Sequence, residues 1–231
     1  MNLYDLPSAL KTRYISIDTF NRKLKKLPGV KVEIPKSEIK RLEALQPKSI
    51  TTTTLKKLEL LQQSTEGNQS PIITQIPARI LVNGIEKDFT INTLKEVMQL
   101  AHRSNNTIKY LFTENISEDI LYKVWDSHLR AWSSACLRNS KAKSFDKQKQ
   151  FQEEVLGKES EIYADMYLAL FINHIVFQED LIITGNFMRL NSQEKNGDSH
   201  QVYTSGVALE LGIWSCQAHT IGAIGACFVI E

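Results

Sequence analysis

The dipeptide Asn83-Gly84 constrains this chain more than any other local feature. It stands between two short runs of strand-forming residues, Arg79 to Val82 and Ile85 to Thr90. A two-residue connection that matches the twist of its flanking strands needs positive φ at both positions, and Asn and Gly accept that conformation at least cost. A β-hairpin is therefore predicted, and a hairpin needs other elements to cover it. Thr93 and Glu96 have the spacing of a capping box. It opens a helix with Leu94, Val97, Met98 and Ala101 on one face. Asn105-Asn106 then turns the chain into a third strand, Thr107 to Phe112. Hairpin, helix and returning strand make a small α+β unit, an order shared by too many folds to imply a function.

Before the hairpin, residues 1 to 64 read as short helices separated by breakers. Asp18 is placed to cap a helix through Phe20, Leu24 and Leu27 that Pro28-Gly29 stops. Ser37 is placed to cap a second, with Ile39, Leu42 and Leu45 at helical spacing until Pro47. Thr51 to Thr54 supply the cap of a third, carrying Leu55, Leu58 and Leu61. Between Ser64 and Pro77 the composition turns to turn formers with little periodicity, which predicts a linker over 65–77.

Charge separates the same segments. Residues 1 to 60 hold 13 Lys or Arg against 6 Asp or Glu, a net of +7, and the remainder holds 15 against 20, a net of −5. A basic arm on a mildly acidic body suits a polyanion or an acidic surface, its own or a neighbouring subunit's. The cations of the arm are Arg22, Lys23, Lys25, Lys26, Lys36, Lys40, Arg41, Lys56 and Lys57. Three short basic helices match a helix-turn-helix module in topology alone, with Thr51 to Lys57 as the one stretch that offers polar groups at a helix start.

Beyond the hairpin unit, Ser117 caps a long helix expected to reach Leu137, with Leu121, Val124, Trp125, Leu129 and Trp132 on its apolar face. Residues 138 to 158 are strongly polar, suiting an exposed loop, a solvated helix or both. Glu159 to Phe177 is apolar over most of its circumference, which places it in the core. From Leu181 onward three or four strands are expected, with a turn-rich loop at Asn191 to Ser199. The fold class is thus α+β: a basic helical module or arm (1–64), a linker (65–77) and a body (78–231) of long buried helices and a mostly antiparallel sheet.

Catalytic constellations are sparse. Glu161 and Asp165 lie four apart, with Asn173 eight further on, so they share one stripe of the core helix; two carboxylates on one face suit Mg²⁺ if other oxygens converge. The blander reading is the solvent-facing edge of a buried helix. His174 stands half a turn from Asp165 and cannot join them. Cys216 and His219 suggest a thiolate beside a base, but three residues apart in a strand they point to opposite faces. His174 and His200 are alternative partners for Cys216. Three scattered cysteines and five scattered histidines contain no zinc spacing, and Gly222 and Gly225 lack the context of a nucleotide fingerprint. No metal and no cofactor is expected.

With 42% hydrophobic and 23% charged residues the chain has the composition of an ordinary globular protein. The apolar run at Ile162 to Phe177 is too short to cross a bilayer, so no membrane partner is expected. Three widely spaced cysteines behind an N-terminus without a signal peptide suit a reduced, cytoplasmic protein. The leading expectation is a non-enzymatic nucleic-acid-associated or assembly protein, with nucleic acid or a second copy of the chain as partner. The alternatives are a metal-dependent hydrolase or nuclease built on Glu161 and Asp165, and an adaptor binding proteins through the hairpin or the polar 138–158 segment, with Trp125, Trp132 and Trp214 as its anchors.

Overall fold

A computed structural model describes residues 3, 6, 12–104, 111–112, 118–125, 129–133, 135–157, 165–177, 188–193, 199–205, 210–216, 223–224 and 227–230. The elements run β1 (Arg13–Ile15), α1 (Ile17–Leu24), β2 (Val32–Glu33), α2 (Lys36–Ala44), α3 (Thr52–Ser64), a 3₁₀ turn at Glu66–Asn68, β3 (Ile72–Gln75), β4 (Arg79–Val82), β5 (Ile85–Asp88), α4 (Ile91–Ser104) and β6 (Leu111–Phe112). They continue with α5 (Glu118–Leu121), β7 (Leu129–Trp132), α6 (Phe145–Leu156), α7 (Asp165–Phe177), β8 (Met188–Gln193), β9 (Ser199–Ser205), β10 (Glu210–Cys216), β11 (Ala223–Ile224) and β12 (Cys227–Val229). The chain is α+β. Three sheets have the orders β1-β3-β7-β12, β11-β8-β9-β10-β6 and β2-β4-β5. Among the described residues β1–β3, β6–β10 and β8–β11 pair in parallel and the other pairings are antiparallel.

The four-stranded sheet organises the core. On one face Ile15, Ile72 and Trp132 meet Phe20 and Leu24 of α1, Leu42 of α2, Leu94 and Val97 of α4, and Phe171 and Ile172 of α7. Phe20 takes Phe171 edge-on, with ring centroids 6.4 Å apart at 89°. On the other face Ile73, Leu129 and Ala131 meet Leu58 and Leu61 of α3 and Leu156 of α6.

This sandwich overturns two expectations. Residues 65–77, read as a linker, contain β3, whose four residues are all buried. Among the described residues of the predicted helix from Ser117 to Leu137, Glu118–Leu121 is helical and Leu129–Trp132 is strand β7, paired with β3 and β12. One cause explains both. A strand buried on both faces shows no alternation, so its pattern is lost against a short apolar run or a helical stripe. The core facing α1 also draws on residues from both sides of 65–77.

The hairpin forms as its turn requires. Val82 pairs with Ile85, Asn83 has φ 52° and Gly84 has φ 84°. Helix starts were less legible. Ser16 rather than Asp18 caps α1, its Oγ accepting the Thr19 N–H at 3.2 Å, and α2 follows Pro35 without a side-chain cap. Thr51 caps α3 as expected. At α4 the cap is Thr90, which accepts the Thr93 N–H at 3.1 Å, while the Thr93 hydroxyl donates to the Asp88 carbonyl and Glu96 turns to Lys87 Nζ at 2.7 Å. The polar segment after residue 138 is a helix where α6 runs. No described helix is long and apolar enough to cross a membrane.

Candidate phosphate-contacting surface

Helices α1 and α2 bury one side each and leave the other to solvent. Ile17, Phe20 and Leu24 of α1 are buried, as are Glu38 and Leu42 of α2. At about 100° per residue this turns Arg22 of α1, and Lys36 and Lys40 of α2 as an i, i+4 pair, outward, and Lys26 follows in the turn just past α1. All four are exposed and lack an ionic partner among the described residues; Lys23 is half-buried on the flank of α1. The two helices pack on one another, and the Ile34 N–H, just past β2, donates to Asn21 Oδ1 at 2.8 Å, which fixes the intervening strand to α1.

The remaining cations of the basic set stand differently. Lys25 Nζ lies 2.6 Å from Glu33 Oε2. Arg41 grips Glu38 through Nε and Nη2, both at 2.7 Å, and Glu38 Oε1 also accepts the Ala78 N–H at 2.6 Å. Burial alone would push the Glu38 carboxyl up, but the Arg41 guanidinium and the Ala78 and Arg79 backbone groups outweigh it and hold it below its ordinary value. Glu38 thus ties α2 to the residue before β4, with Arg41 holding its carboxylate. Lys56 is exposed and Lys57 half-buried on α3, whose leucines belong to the cluster across the sheet. The compact three-helix packing of a helix-turn-helix is therefore not adopted, because α3 packs against α6 rather than with α1 and α2.

A basic residue outside the expected set joins this surface. Lys31 lies between Gly29 and β2, and its backbone is tied to the hairpin: its N–H donates to Asn83 Oδ1 at 3.1 Å, and the Asn83 N–H donates to its carbonyl at 2.7 Å. Lys25, Lys31, Val32, Glu33, Leu81 and Gly84 line a cleft of about 310 Å³. No sequence spacing announced this, since the tie spans 52 positions.

Few of the expected catalytic side chains fall among the described residues. Glu161, His128 and His219 lie outside the described residues, as do the side chains of His102, Asp165, His174, His200 and Cys216. Asp165 begins α7, and Asn173, expected on a solvent edge with it, is fully buried, and neither amide atom has a hydrogen-bond partner among the described residues. The buried, apolar surroundings of α7 explain this: the helix is enclosed on several sides, so it has no wet stripe where Asn173 stands. Cys216 ends β10 opposite Ser199, and His200 stands opposite Ser215. Cys136 is buried, and desolvation, with the Glu66 charge adding to it and Lys141 opposing, pushes its thiol up to about 12; it stays protonated and is no nucleophile. Among the described residues no His, Cys, Asp and Glu cluster has the makings of a metal site.

Comparison with family models, curated proteins and solved structures finds no match for this chain.

Proposed function

We propose that this protein is a non-enzymatic, nucleic-acid-associated protein whose basic helices α1 and α2 contact backbone phosphates. The observation that supports the reading is the state of Arg22, Lys26, Lys36 and Lys40: exposed, without ionic partners among the described residues, and carried on helices whose other sides are anchored in the core or, for Lys26, on the turn just past α1. Unpaired cations on a fixed scaffold keep their charge for an external anion and lose little order on meeting one. Phosphate contacts of this kind position a polyanion without reading its sequence, and they release counterions, so affinity falls with salt.

The test is binding to labelled single- and double-stranded DNA and RNA across a salt series, with the oligomeric state followed by light scattering. Tight binding with a logarithmic salt slope of about −0.9 per phosphate contact is the expected result. Reversing Arg22, Lys26, Lys36 and Lys40 to Glu abolishes it while the circular dichroism spectrum stays unchanged. Absence of binding at low salt overturns the reading.

A further inference from the structure

We propose that the cleft between the end of α1, β2 and the hairpin turn is a subsite for one phosphate group, held by Lys31 and Lys25, with Glu33 as an internal competitor. The proposal deepens the phosphate-contact reading and rests on it where the phosphate belongs to a nucleic acid. A cleft of about 310 Å³ lies at the small end for ligand sites and suits one nucleotide unit rather than a broad face. Leu81 gives it an apolar side, and Lys31 and Lys25 give it positive charge.

Two features set it apart from a merely basic surface. Lys31 is exposed and its side chain has no partner among the described residues, yet its backbone is fastened to the turn by the two hydrogen bonds with Asn83. Its position at the cleft is fixed before any ligand arrives, which reduces the ordering cost of binding. The second feature is the Lys25–Glu33 pair. With side chains 50% and 46% exposed, it is a solvated ion pair of small intrinsic worth. A phosphate brings more charge and more acceptor oxygens than Glu33, so it takes over the Lys25 ammonium and sends Glu33 to solvent. The contrast is Arg41, whose partner Glu38 is buried, held at both oxygens and bonded to the backbone, and is not displaced in this way.

Glu33 has a control of equal charge close by. Glu43 lies on α2 in the same basic first sixty residues, exposed, outside the cleft and without an ionic partner among the described residues. Glu33→Gln and Glu43→Gln change the net charge identically, but only the first frees Lys25. Binding of the full chain to ATP and to a labelled single-stranded oligonucleotide is measured for both variants and for Lys31→Ala, each checked by circular dichroism. The expected result is that Glu33→Gln tightens binding about threefold to fivefold, Glu43→Gln changes it less than about twofold, and Lys31→Ala weakens it about threefold or more. Equal effects of the two Glu variants, or no effect of Lys31→Ala, overturn the subsite. The two readings separate cleanly: ATP binding with this signature and no oligonucleotide binding keeps the cleft and removes the nucleic-acid function. Oligonucleotide binding without the signature does the reverse.

Discussion

On one face of the four-stranded sheet α1, α4 and α7 press Phe20, Leu94, Phe171 and Ile172 onto Ile15, Ile72 and Trp132, whereas on the other α3 and α6 contribute chiefly Leu58, Leu61 and Leu156. The thinner side makes up the difference with polar ties. Gln148 of α6 is fully buried and its Nε2 donates to the Ser140 carbonyl at 2.7 Å; the Ser140 hydroxyl donates to the Leu137 carbonyl at 2.7 Å, and Arg138 Nε to the Thr65 carbonyl at 2.9 Å. Backbone bonds from Glu66 to Cys136 and from Arg138 to Ser64, each 2.9 Å, join the same segments. Burial is non-directional and grows with area, so the deep face is set by how much apolar surface converges on it. Hydrogen bonds are directional and costly to leave unmade, so the thin face is set by a few named donors.

Leucine truncations give the largest expected effect. Leu24 and Leu61 are both buried, one in each cluster. Leu24→Ala should cost about 4–5 kcal/mol and Leu61→Ala about 2–3 kcal/mol, because a cavity in the deeper core has less room to collapse. Urea denaturation measures both, and equal losses break the comparison. Gln148→Leu sharpens it from the other side: the volume is nearly kept, but the Ser140 carbonyl loses this donor. The expected loss is about 1–3 kcal/mol, with faster amide exchange over 135–141 and no change around α1.

Glu38 tests whether the deep face also depends on a polar tie. Glu38→Gln weakens the Arg41 grip and should cost about 1–2 kcal/mol at neutral pH. The sign of its pH dependence follows from the lowered carboxyl: folded Glu38 gives up a proton more readily than unfolded Glu38, so its contribution is complete above the ordinary value of 4.5 and is lost as pH falls through the folded value. Urea midpoints of wild type and variant should therefore converge in acid. A gap that stays constant from neutral pH downward would remove the carboxylate from the account.

Part of this architecture was readable from residues alone. The hairpin followed from Asn83-Gly84, and the three N-terminal helices from leucine spacing and from Pro28, Pro47 and the threonine run, because backbone preference and helical period act within a few residues of where they are written. The starts of α1, α2 and α4 shifted by two or three residues: at α1 and α4 a Ser or Thr upstream made the cap, and α2 opened after Pro35 with no side-chain cap. The basic set was legible as charge but not as a surface. Lys25 and Arg41 have acidic partners in the fold, Lys56 and Lys57 lie across the sheet, and Lys31 was missed because the Asn83 tie and the β2–β4 pairing, both long-range, bring it to the cleft.

What the sequence determined by itself, then, is local: where the chain turns, where short helices start and stop, and that the basic residues crowd its first sixty positions. The tertiary structure alone decided that Ile72–Gln75 and Leu129–Trp132 are adjacent strands at the centre of a sandwich, and which cations stay free. The physical reason is common to both. Burial on two faces erases the periodicity that marks an element, and the pairing of charges depends on contacts between segments far apart in the chain, which no local pattern encodes.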